Sequence, residues 1–229
     1  MIRLPEFLAL PLFKRVYPLL RRREGSPIPP IQRRISQVDL KASYAFNRIF
    51  NASLLYQLHC PIEYDLPYPK LDFLNYLCDW RGLVAHGSHS SNLLELAPIR
   101  RSEEVSDLPY IQPVFAFPDA VMALWFAILD PKQVHATSNG CVCIGRELKR
   151  EKYYHFELPS MLEGKFPFTP GTIYIARAES FPIRQKTRSL NFFGADHEQW
   201  GSESSVTPLA KITVEPQDFP YLDQVQYCL

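Results

Sequence analysis

Leu83-Val84-Ala85-His86-Gly87-Ser88, followed after an irregular connection by Val114-Phe115-Ala116-Phe117-Pro118-Asp119 and the apolar run Ala120 to Leu129, decides the fold. The first segment is apolar until it stops at a histidine, a glycine and a serine, so it reads as a strand whose end carries polar side chains. The second is a short aromatic strand that breaks at Pro118 and passes directly into a helix. Asp119 stands where an N-cap or first-turn acid belongs, because its carboxylate can accept from the free amides of that turn.

Working upstream, Leu71 to Trp80 is expected to be a shorter helix or turn that delivers the chain to the first core strand, with Trp80 a packing residue. A proline-rich loop (Pro61, Pro67, Pro69) precedes it. From Ser36 to Leu58 the apolar positions Val38, Ala42, Ala45, Phe46, Ile49, Phe50, Leu54 and Leu55 fall near helical spacing. This predicts one amphipathic helix, with Ser36 available as its cap and Asn51 as the point where it can break. Residues 26–31, SPIPPI, read as an extended linker. Prolines at 5, 11 and 18 interrupt the apolar start, and a basic cluster follows it instead of preceding it. Neither a secretory signal nor a membrane span is expected, and the cytoplasm is the default location. Up to Lys41 nine basic residues face three acids, in a chain whose net charge is +1. That excess suits an N-terminal arm in contact with a polyanion such as nucleic acid, or simply a solvated basic turn.

Downstream of Asp130 the period changes. Residues 141–147, 153–158, 172–178 and 206–216 are strand-like, β-branched and aromatic, with turn residues between them. Residues 181–204 read as the longest irregular piece of this half, and long loops in compact domains are often functional. Helices first and strands later predict an α+β fold with a mostly antiparallel or split sheet. The organisation expected is a basic arm and helical segment over 1–80 and a second unit over 81–229. Five cysteines show no metal-like pairing, and Cys141 and Cys143 alternate on one strand face, which fits reduced thiols. Six dispersed histidines do not suggest zinc.

His86-Gly87-Ser88 and Val114-Phe115-Ala116, in that order and followed directly by a helix, resemble the core of the ADP-ribosyltransferase superfamily. Many of its members carry H-G-[ST] on the first core strand, an aromatic-plus-Ala motif on the next, and an acid or Gln on a late strand. Here the late candidate is Glu198-Gln199-Trp200, ahead of Val206-Thr207-Pro208. The resemblance covers roughly residues 81–219. It implies split antiparallel sheets, NAD as substrate, and a mono-ADP-ribosyltransferase acting on a protein or nucleic-acid acceptor, as a toxin or defence effector of bacterial type would.

By that resemblance His86 would hydrogen-bond a ribose hydroxyl, the Gly87 backbone would approach the nicotinamide amide, and Ser88 would add a hydroxyl to the adenosine ribose. Phe115 stands where the family has a tyrosine, and the helix offers Trp125 or Phe126 as a second aromatic face, of which Phe126 is the one taken as the candidate. Glu198 or Gln199 would be the late catalytic residue, and strand alternation allows only one of them to line the pocket. A glutamate would stabilise developing positive charge; a glutamine would leave that charge unanswered. Two other readings stand beside this one. The NAD-dependent RNA 2′-phosphotransferases share the H-G-[ST] strand and lean on arginines, for which Arg100 and Arg101 are the candidates. A non-enzymatic interaction module with a degenerated pocket is the third.

Overall fold

Helix formation here follows the burial of one face. The computed structural model describes residues 31–34, 38–56, 61–102, 109–144, 151–190 and 195–228, and among these three α-helices and three sheets build an α+β architecture. Helix α1 (Leu40–Tyr56) turns Ala42, Phe46 and Phe50 inward and leaves Leu40, Tyr44 and Leu55 exposed. It runs unbroken through Asn51, contrary to the expected interruption, because Asn51 lies on the exposed face, where its side chain meets solvent. Helix α2 (Lys70–Asp79) follows Pro69 and buries seven residues from Leu71 to Cys78. Trp80, expected to pack, is the C-cap of α2 and is 41% exposed.

One sheet has three antiparallel strands in the order β11 (Ala210–Val214), β8 (Gly171–Arg177), β2 (Leu83–Ser88). The larger sheet runs β1 (Ile31–Arg34), β7 (Glu151–Leu158), β6 (Ser138–Ile144), β10 (Ala195–Ser202), β5 (Val114–Ala116). Strand β9 (Ile183–Leu190) adds to β10, and β12 (Gln226–Tyr227) pairs in parallel with β7. A separate hairpin joins β3 (Ile99–Ser102) to β4 (Pro109–Gln112). The two main sheets meet where Ala85 and Phe117 exchange both backbone hydrogen bonds, each at 2.9 Å.

Residues 181–204 are therefore not an irregular loop: β9 and β10 form a ladder from Ala195↔Leu190 to Gly201↔Ile183. The sequences IRQKTRSL and ADHEQWGS mix polar residues into both faces, so no period-2 apolar pattern announces them. In the run 206–216 the strand begins only at Ala210, since Pro208 has no amide to give a ladder. Ser36 and most of the basic arm lie outside the described residues.

Helix α3 (Ala120–Ile128) is apolar all round because it is covered all round: eight of its nine residues are buried. Trp125 packs among Phe156, Phe168 and Phe219, with ring centroids 4.8 to 6.0 Å away. On its other side α3 lies directly on β2 and β8. A Cβ at Gly87 would stand 2.1 Å from the Ala123 carbonyl oxygen, and one at Gly171 only 1.9 Å from that of Ala127. Two missing side chains thus admit one helix. Its start is fixed as well: Asp119 Oδ1 accepts from the amides of Val121 and Met122 at 3.0 and 3.3 Å. Its Oδ2 accepts from Lys152 Nζ at 2.6 Å and Tyr154 Oη at 2.8 Å, and Lys152 also reaches Asp79 at 3.0 Å. This buried network ties α2, α3 and β7 together.

Gly87→Ala and Gly171→Ala are each expected to lower the unfolding free energy by about 1–3 kcal/mol through overpacking. Gly201→Ala, whose added methyl meets its nearest neighbours at 3.4 Å, serves as the near-neutral control. Asp119→Ala removes the cap and one partner of a buried ammonium, so a loss of about 3 kcal/mol or more is expected. Urea unfolding of the four variants measures all of these.

Candidate functional site

Beyond the Ala85–Phe117 bridge the two main sheets part, and a cavity of about 390 Å³ opens between them. His86, Gly87, Ser88, Phe115, Phe126 and Gln199 all line it. Six candidates that span more than a hundred positions of the chain thus share one cleft, whose size falls within the range of small-molecule sites, about 300–1,000 Å³.

His86 is held from the far strand: its Nδ1 lies 2.7 Å from the Phe115 carbonyl oxygen. A carbonyl only accepts, so Nδ1 carries the proton and Nε2 is left as an acceptor. Burial pulls the imidazole below its ordinary value, with the Phe115 carbonyl pulling in the opposite sense. Its neutral form is the one favoured, and a neutral Nε2 suits a hydroxyl donor.

Gly87 contributes backbone. Because Ala85 turns its amide and carbonyl toward Phe117, alternation along β2 turns those of Gly87 the same way, toward the cleft. An adjacent donor and acceptor there match a primary carboxamide. The absent side chain also makes room for α3.

The cleft's aromatic wall comes from β5 and α3. Phe126 is the one residue of α3 that is not buried. It stacks on Phe117 at 5.3 Å and 8° between ring planes, while Trp125, the alternative, goes to the core. Phe115 is directly opposite Gly201 on β10, and alternation places Gln199 on that same face. Gln199 lines the cavity; the Glu198 side chain lies outside the described residues, as do those of Arg100 and Arg101.

Sequence reasoning missed Phe117, His89, Ala97 and Pro113, which also line the cavity. The alternation Phe115, Phe117 was a usable signal; nothing marked Ala97. It also missed how the lip of the cleft is held. His86, Tyr174 and Lys211 form one row across β2, β8 and β11. Tyr174 Oη donates to the Ser90 carbonyl at 2.8 Å and accepts from the Leu93 amide at 3.0 Å, and Lys211 Nζ donates to the Ser91 carbonyl at 2.9 Å. Within the loop, Ser88 Oγ accepts from the Ser90 amide at 3.1 Å.

No protein-family model, curated protein or solved structure matches the chain. Among the described residues no helix is long and apolar enough to cross a membrane.

The lowered His86 value has a pH signature. The unfolded chain takes up the proton near the ordinary value of 6.5, while the folded chain resists until lower pH. The stabilising contribution is therefore complete above that value and is lost as pH falls through the folded one. Unfolding free energy is expected to decline between about pH 7 and pH 5, with a smaller decline in His86→Asn, as urea titrations at each pH would show.

Proposed function

We propose that the chain is an NAD-dependent mono-ADP-ribosyltransferase with an ADP-ribosyltransferase-like split-sheet fold. The observation that carries this reading is the convergence of His86, Gly87, Ser88, Phe115, Phe126 and Gln199 on one cleft between two sheets. In this reading the nicotinamide ring lies against the Phe115 and Phe126 faces, and its carboxamide pairs with the Gly87 amide and carbonyl. His86 Nε2 accepts from a ribose hydroxyl, and the Ser88 hydroxyl takes a second polar contact on the dinucleotide.

The reaction breaks the bond between nicotinamide N1 and ribose C1′. The electron pair leaves with nicotinamide, positive charge spreads over the ribose, and a nucleophile on a protein or nucleic-acid acceptor bonds to C1′ as it gives up its proton. Gln199 can orient a ribose hydroxyl through its amide, yet it brings no negative charge to the oxocarbenium-like state. Catalysis then leans on position more than on charge, which implies slow turnover. The same observation favours a second reading, a non-catalytic module that binds NAD without consuming it.

With NAD and candidate acceptors, His86→Ala is expected to lower turnover by about 100-fold or more. Gln199→Glu should raise it by about 10-fold or more by answering the developing charge. Glu198→Gln run alongside shows whether the neighbouring carboxylate takes part. Release of nicotinamide, followed by chromatography, is the measurement. A wild-type protein that binds NAD but releases no nicotinamide supports the binding module, and one that does neither at millimolar NAD removes both readings.

A further inference from the structure

The loop from His89 to Asn92 leaves β2 beside the cleft, with Ser88 and His89 in the cavity wall, and all four of its residues are exposed. It is nevertheless fixed at both ends and from below. Ser88 belongs to β2, and Leu96 exchanges both backbone hydrogen bonds with Val206, each at 2.9 Å. Beneath the loop stand two buried side chains, Tyr174 at 0% and Lys211 at 7% exposure. Tyr174 Oη bonds the Ser90 carbonyl and the Leu93 amide, and Lys211 Nζ bonds the Ser91 carbonyl.

These bonds dictate where the loop's amides point. In a trans peptide the carbonyl and the N–H face opposite ways, and the peptides here are trans. Two successive carbonyls drawn inward, those of Ser90 and Ser91, therefore turn the next two amides, those of Ser91 and Asn92, outward. Neither amide has a partner among the described residues. Successive outward amides make a seat for an anion.

The lysine behind the seat adds a second reason. Its ammonium has three donors, yet among the described residues it meets one neutral carbonyl and no carboxylate. A lysine this buried normally has an opposite charge beside it. An oxyanion on the outer side of the same peptides supplies that charge, and the charge-assisted bond to the Ser91 carbonyl polarises the Asn92 amide toward it. Asp130, whose charge acts on His89, is already engaged by the Gln133 side chain and the Lys132 amide.

We propose that Tyr174 and Lys211 are positioning residues that hold the Ser91 and Asn92 amides for an oxyanion of the phosphate type, carried by the molecule that occupies the cleft. That the carrier is a dinucleotide rests on the NAD reading; the seat itself does not. The two residues act through the loop backbone and touch neither the nicotinamide nor the bond that breaks.

NMR of the isotopically labelled full chain, titrated separately with inorganic pyrophosphate and with nicotinamide, tests the seat. Pyrophosphate is expected to bind saturably and to move the Ser91 and Asn92 amide signals most; nicotinamide leaves those two signals in place. Lys211→Met should weaken pyrophosphate by about 10-fold while the melting temperature stays equal or rises, because an unpaired buried charge is removed. Tyr174→Phe, which keeps the ring and loses both loop bonds, should weaken it by a similar factor. With NAD, Lys211→Met should raise KM by about 10-fold and leave kcat within about twofold, the signature of a group that binds without taking part in the chemical step. A protein that seats pyrophosphate at Ser91 and Asn92 but ignores NAD removes the NAD reading and keeps this one. No saturable pyrophosphate binding at about 10 mM, largest shifts at other residues, or affinity unchanged in Lys211→Met and Tyr174→Phe would overturn the proposal.

Discussion

The contact of α3 with β2 and β8, backbone against backbone at Gly87 and Gly171, is the constraint from which the rest of the arrangement follows. A side chain at either position would collide with a carbonyl oxygen of the helix, so α3 sits as low as a helix can on that sheet. The Asp119 carboxylate then holds its first turn against Lys152 and Tyr154 of the other sheet. Fixed from both sides, α3 holds the sheets in contact at Ala85 and Phe117 and lets them diverge immediately afterwards. The cleft is the space that this divergence leaves.

Its polar groups are arranged by the same geometry. His86 reaches across to the Phe115 carbonyl, which sets the tautomer and leaves an acceptor in the cleft. Gly87 therefore has two roles that reinforce each other: its missing side chain seats the helix, and its edge backbone faces the opening. The substitution that would most simply test its backbone as a ligand would also lift α3. Loss of function on changing Gly87 is thus ambiguous in a way that loss on changing His86 or Gln199 is not.

The α+β class, the strand at Leu83, the cap at Asp119 and the helix after it were legible in the sequence, because each rests on a local pattern: an apolar run, a breaker, a capping acid. The convergence of the candidate residues was legible only through short motifs in order. Strands β9 and β10 were not, since IRQKTRSL and ADHEQWGS lack a one-sided apolar pattern and are specified by pairing with neighbours distant in the chain. The Asp79–Lys152–Asp119 network was hidden for the same reason: lysine at 152 resembles a solvated strand residue until its two partners, from helices 33 and more positions away, are in place.

The central claim is that the split between the sheets receives the nicotinamide end of a dinucleotide, and NMR of the isotopically labelled protein during titration with NAD addresses it most directly. The account predicts that the Gly87 backbone amide, the Gln199 side-chain amide and the His86 ring nitrogens shift most, with His86 keeping its Nδ1 proton throughout. Shifts absent at millimolar NAD, or concentrated away from these three residues, would contradict it.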